Sequence, residues 1–223
     1  MRWWRAVVVL VAGVVLAVAG CARFVPGTGV ADLPPVTVSD DGYGIVTGDP
    51  DAPVQLEFYI EPQCPHCHRL LTESDAALRA AIALGRLVVI YRPLTFLDFG
   101  DDDTSARLSN ALFAAVDPGT SAPAFHDFLI ALYDHQPEYG EPAPDDDEIA
   151  GFAERSGLPA VAVQRIADGD VVVDTVAMDE FNADTLLEIT PDRVATPTVV
   201  DLATLEEVDT GPEDWLDRLL DGA

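Results

Sequence analysis

Cys64 and Cys67 are separated only by Pro65 and His66, and this Cys-Pro-His-Cys run is where the chain's residue types and spacing point to chemistry. Two cysteines so spaced on the first turn of a helix bring their sulfurs within bonding distance, the first facing solvent and the second turned inward. Such a pair can cycle between dithiol and disulfide, with Cys64 attacking and Cys67 resolving. A thiolate at a helix N-terminus accepts otherwise unpaired N–H groups, and a protonated His66 adds a nearby positive charge. With His68 the same run also spells Cys-x-x-Cys-His, the attachment pattern of c-type haem. Haem would need a second axial ligand and an apolar pocket; Met178 lies in an acidic stretch, which leaves His126 or His135. A closed zinc site needs four ligands, and only two cysteines are at hand. No metal or other cofactor is therefore expected. His68 reads as an exposed first-turn residue and His126 as a helix-surface histidine.

The third cysteine, Cys21, belongs to a different kind of segment. Arg2 and Arg5 precede an uncharged apolar run from Val7 to Val18, and Val18-Ala19-Gly20-Cys21 provides small residues for cleavage. The run is shorter than the ~18 to 20 apolar residues that span a bilayer. Residues 1–20 are thus expected to be a secretory signal peptide, and their end resembles the lipobox of bacterial lipoproteins, with Cys21 acylated. A simple membrane anchor is the alternative. Both place the rest of the chain outside the cytoplasmic membrane, where thiols meet oxidants.

Composition excludes several function classes. Without Arg2 and Arg5 the chain keeps 10 basic residues against 39 acidic ones, a formal charge of −29. A surface this acidic is repelled by nucleic acid and by anionic headgroups, so attachment to a membrane would rest on acyl chains at Cys21. Every basic residue is Arg, which removes lysine-dependent Schiff-base and phosphate chemistry.

The elements that must position the dithiol follow from periodicity. Residues 21–48 are rich in Gly, Pro, Asp and Thr and read as a tether, with Tyr43 to Val46 as a possible strand; the folded domain is expected over 49–223. Val54 to Ile60 alternates as a half-buried strand. Leu70, Leu71, Ala77, Leu78, Ala81 and Ile82 then recur at helical spacing until Gly85. A strand at Leu87 to Tyr91 ends at Arg92-Pro93. Helical stripes follow at Leu108 to Val116, Phe125 to Tyr133 and Ile149 to Ala153, and Pro159 opens a fourth helix. Asp174 to Ile189 is ambiguous. Pro197 to Val200 reads as a strand, Leu205 to Val208 as its hairpin partner, and Thr210-x-x-Glu213 as a capping box for a last helix burying Trp215, Leu216, Leu219 and Leu220. The order is β-α-β, helices, β-β-α.

That order resembles the thioredoxin fold of the DsbA-like thiol:disulfide oxidoreductases, given Cys-Pro-His-Cys at a strand-to-helix junction, Thr196-Pro197 at the head of a later strand and a helical insertion at about 101–190 between the halves. The resemblance runs from about Gly48 to Leu220. It implies an α/β thioredoxin-like fold, a redox-active Cys64–Cys67 disulfide, and a cis Pro197 facing it, with the Thr196 backbone pairing with substrate. It also implies that Glu57, in a Glu-Phe pair, helps proton transfer to the buried cysteine, although one extra residue separates it from Cys64; a solvated strand glutamate is the alternative. Reaching the pKa near ~3.5 known for DsbA itself takes about 7 kcal/mol, whereas a helix dipole supplies at most ~2 kcal/mol. Several hydrogen bonds to the sulfur, together with the imidazole, must do the rest, against Glu61 and the acidic surface. A strong oxidant, weaker than that extreme, is expected.

The function expected is extracytoplasmic oxidation of cysteine pairs in reduced or misfolded secreted proteins, by a monomer anchored to the outer face of the cytoplasmic membrane. The family implies a membrane-bound, quinone-linked reoxidant. Related isomerases carry a separate N-terminal dimerisation domain, so oxidase is favoured over isomerase. The alternatives are a c-type haem protein and a non-catalytic lipoprotein using the fold as a scaffold.

Overall fold

The computed structural model describes residues 34–137 and 142–222. Their elements run β1 (Thr37–Val38), β2 (Ile45–Gly48), β3 (Val54–Ile60), α1 (Pro65–Ala83), β4 (Leu87–Pro93), α2 (Thr104–Ala114), α3 (Ala122–Asp134), α4 (Asp146–Arg155), α5 (Ala160–Ala167), α6 (Thr175–Ile189), β5 (Thr198–Asp201), β6 (Glu206–Glu207) and α7 (Trp215–Asp221). The signal peptide, Cys21 and the first part of the tether fall outside the described residues. No described helix is long and apolar enough to cross a membrane.

The strands form one sheet in the order β1-β2-β4-β3-β5-β6. Only β3 and β4 are parallel, with Phe58 opposite Tyr91, and α1 makes their crossover. Strand alternation sorts the side chains onto two faces. Leu56, Phe58, Ile60, Val89, Tyr91 and Val199 join the main core with α1, α3 and α7. Tyr59 and Val200 face the other way, onto Leu186 of α6. The β3 residues Leu56, Phe58 and Ile60 are fully buried, each contributing about 1.5–3 kcal/mol relative to exposure. Gly48 holds φ +110, where an added Cβ would lie 2.5 Å from the Leu87 carbonyl oxygen, so this end of β2 can approach β4 only as glycine.

The thioredoxin-like order expected from the sequence is present, with the helices α2 to α6 between its halves. Three readings are corrected. The tether reading of residues 21–48 fails ahead of the strand expected at Tyr43 to Val46, which is present as β2, because Val36 is buried and β1 also joins the sheet. The ambiguous 174–189 segment is helical, capped by Asp174, whose carboxylate accepts from the N–H groups of Val176 and Ala177. The Thr210–Glu213 pattern is not a capping box: α7 begins at Trp215 after Asp214.

Candidate functional site

β3 ends at Ile60, and a short turn delivers Cys64 as the N-cap of α1, with Pro65 in the first helical position. Pro at that position loses nothing, since its missing N–H would be unpaired anyway. Cys64 therefore occupies the place where Ser or Asp ordinarily accepts the first helical N–H groups. Both thiols are free in this structure. The Cys64 S–H donates to the Thr196 carbonyl oxygen at 3.4 Å, and the Thr196–Pro197 bond is cis. The Thr196 hydroxyl is buried without a hydrogen-bond partner.

Four donors act on the Cys64 sulfur once it is ionised. The Cys67 thiol is the strongest, followed by the Cys67 N–H, the Thr196 hydroxyl and the His66 N–H; together they overcome burial and bring Cys64 down to about 5. His66 thus reaches the sulfur through its backbone. Its exposed ring accepts at Nδ1 from Arg69 Nη2, 3.1 Å away. Cys67 is fully buried; burial, then the bond to and charge of Cys64, push its thiol far above the ordinary range.

Beside the pair lies a carboxyl that the sequence singled out only as an opposing charge. Glu61 is fully buried. It accepts from the Gln63 N–H at 2.7 Å and from the Ser105 hydroxyl, yet burial dominates and raises it to about 8. Ser105 and Gln63 also contact Asp98, whose carboxylate accepts from Gln63 Nε2 at 3.0 Å and from the Ser105 N–H at 2.7 Å. The turn is held from above by α3. Tyr133 donates to the Glu61 carbonyl at 3.3 Å, and Gln136, just past α3, donates to the Pro62 and Cys64 carbonyls at 2.6 and 3.2 Å.

Glu57 lies elsewhere. It is buried on the α6 face of β3, away from the cluster that holds Cys67. Its carboxylate accepts from Arg92 Nε at 2.6 Å and from the Tyr59 hydroxyl at 2.8 Å, while Arg92 also reaches Asp41 and Asn182. Both sequence readings of Glu57 are thereby corrected: it is neither beside the buried cysteine nor solvated. Glu61, three residues before Cys64, lies at the site, while Glu57 stays on the far side of the sheet.

A profile of the thioredoxin family matches residues 40–200. This chain belongs to the thioredoxin family. Among solved structures, the chain is similar to the thiol-disulfide oxidoreductase MdbA of Corynebacterium diphtheriae, at 27% identity and TM-score 0.68 over 83% of this chain and 93% of that one. MdbA of Corynebacterium matruchotii, at 22% identity and TM-score 0.70 over 83% and 92%, shares the fold. So does reduced DsbA of Mycobacterium tuberculosis, at 19% identity and TM-score 0.60 over 81% and 99%. A curated relative, the serine/threonine-protein kinase PknE of Mycobacterium tuberculosis, is 30% identical over 145 residues, which are 62% of this chain and a quarter of the kinase.

Two observations weigh against the haem reading. His68 Nε2 lies 2.9 Å from Asp134 Oδ1, and Cys67 is sealed from the surface where a thioether bond would have to form. His126, read as a surface residue, is corrected: it is 3% exposed, with Nε2 2.9 Å from Asp75 Oδ1 though poorly aligned for a hydrogen bond. Burial, then Arg79, lower it to about 4. Its place in the α3 stripe with Ala122, Phe125 and Leu129 was the signal for burial.

Proposed function

We propose that this protein is an extracytoplasmic thiol:disulfide oxidoreductase that oxidises cysteine pairs in secreted proteins through Cys64 and Cys67. The observation that carries the reading is the placement of the two thiols, Cys64 at the N-cap of α1 with its sulfur 3.4 Å from the Thr196 carbonyl oxygen and Cys67 fully buried one turn on, an arrangement that lowers Cys64 to about 5 and pushes Cys67 far up. A substrate thiolate attacks Cys64 of the disulfide, the Cys64–Cys67 bond breaks, and Cys67 leaves as a thiolate that takes a proton. Glu61, protonated at neutral pH and buried beside the pair, supplies that proton and recovers it from solvent by way of Ser105 and Asp98. A second substrate thiolate then attacks the substrate sulfur of the mixed disulfide. Cys64 leaves as the stabilised thiolate, and two electrons have passed from substrate to protein. Thr196 and Pro197 face the incoming chain, with the Thr196 backbone as its partner.

The leader at 1–20 and Cys21 support placing the protein outside the cytoplasmic membrane as a lipoprotein, with a membrane-bound, quinone-linked protein returning Cys64 and Cys67 to the disulfide. The similarity to MdbA supports the oxidoreductase assignment. The test is stoichiometric oxidation of a reduced, unfolded protein by the oxidised chain. It should proceed with the wild type and vanish with Cys64→Ser; full activity in Cys64→Ser would overturn the reading. Equilibration with glutathione separates oxidase from isomerase or reductase, since ~30 mV corresponds to a tenfold change in equilibrium constant.

A further inference from the structure

Cys64 stands between two hollows of unlike charge. On one side His66, Arg69, Glu73 and Thr196 border a space of about 530 Å³. On the other, a cleft of about 1260 Å³ starts at Gln63 and Pro65, the two neighbours of Cys64, and runs between the loop before α2 and the end of α3. Its described lining contains the carboxylates of Asp102 and Asp134 and no arginine. Asp134 uses one oxygen on His68, and Asp102 accepts from the Thr104 hydroxyl and N–H, which keep it ionised below the usual carboxylate range. The same lining carries apolar surface, including Phe99, which is 75% exposed.

We propose that this cleft selects substrates by seating a lysine or arginine side chain that lies close to the reacting cysteine. The inference rests on the oxidoreductase reading and names the chemistry of its substrate. A cleft lined by an exposed aromatic ring and two carboxylates matches a long aliphatic stem ending in a cation: the stem covers Phe99, and the charge meets the Asp102 and Asp134 carboxylates. An apolar occupant would strip water from both carboxylates without pairing them, and an acidic one would be repelled. The formal charge of −27 draws any cationic chain toward the molecule, so the local effect must be separated from the general one.

Three single-cysteine peptides, identical except for Lys, Ser or Glu flanking the cysteine, are mixed with the oxidised full-length chain, and the rate of its reduction is measured at low and high salt. The wild type is expected to react roughly tenfold faster with the Lys peptide than with the Glu peptide at low salt, a preference that shrinks as salt rises. Asp102→Asn with Asp134→Asn should bring that ratio within roughly threefold of unity, and Phe99→Ala, a change at an exposed side chain, should lower the Lys-to-Ser ratio. Glu154→Gln with Asp217→Asn removes the same charge from exposed positions outside the cleft and should keep the wild-type ratio. Equal rates for all three peptides, or a control pair that lowers the ratio as much as the cleft pair, would overturn the proposal. A chain that reacts with none of the peptides contradicts the oxidoreductase reading itself.

Discussion

Cys64 and Glu61 meet the same buried corner with opposite results, because donors converge on one and desolvation dominates the other. The Cys64 value near 5 lies below that of an unfolded cysteine, about 8.5. Its thiolate therefore adds stability to the reduced form that is complete above about 8.5 and is lost as pH falls through about 5. Glu61 is raised from 4.5 to about 8, so its protonated form contributes stability that is complete below 4.5 and is lost as pH rises through about 8. In the oxidised protein the Cys64 slope is gone, and the Glu61 slope remains because burial is its largest cause. Buried His126, lowered to about 4, opposes the Glu61 slope below about 6.5, so the net fall in stability should lie between about pH 6.5 and 8, and Glu61→Gln should flatten it and exceed the wild type by about 2 kcal/mol at pH 8. Denaturant melts across pH check this; an unchanged slope in Glu61→Gln would place the titration elsewhere. Exchange with a substrate thiol should slow in the same variant, because the leaving Cys67 thiolate loses its proton source.

At the scale of elements, α1 and β3 were legible because their signals are local: alternation over Val54 to Ile60, helical spacing after Cys64, and Gly85 at φ +66 as the stop. The opposite holds for α6, whose buried residues are Met178, Asn182 and Leu186, a stripe one residue wide with a polar centre. Asn182 is inside because it donates to the Pro93 and Tyr43 carbonyls at 2.8 and 3.0 Å and accepts from Arg92, contacts that exist only after the sheet has formed. The two-residue strands β1 and β6 are exposed and carry no apolar pattern. At the site, the cysteines and Thr196-Pro197 were readable from motif and order, whereas the burial of Glu61 depends on Ser105 and Tyr133, far along the chain. The Arg92, Glu57 and Asp41 group is what fastens the far face of β3 and β4 to the N-terminal segment and α6. Glu57→Gln should therefore cost roughly 3 kcal/mol by leaving buried Arg92 short of a partner, while the Cys64 thiolate titration stays in place. A shifted titration would return Glu57 to the active site.

Across the whole molecule, the site joins both halves of the fold: Cys64 and Glu61 follow β3, Thr196 precedes β5, and Ser105, Tyr133 and Gln136 come from the helices between. Reduction places a hydrogen-bonded thiolate at that junction, and the reduced form should be the more stable one at neutral pH. An ordinary structural disulfide behaves the other way, adding ~2 to 4 kcal/mol when formed. Melts of the two forms at pH 7 decide between them, and a clearly more stable oxidised form would make the pair structural or reducing. The most direct measurement is of the covalent intermediate. Cys67→Ser exposed to a substrate disulfide should accumulate a one-to-one mixed disulfide at Cys64, identified by peptide mapping, and Cys64→Ser should accumulate none. No adduct in Cys67→Ser, or one carried equally well by Cys67, would contradict the account.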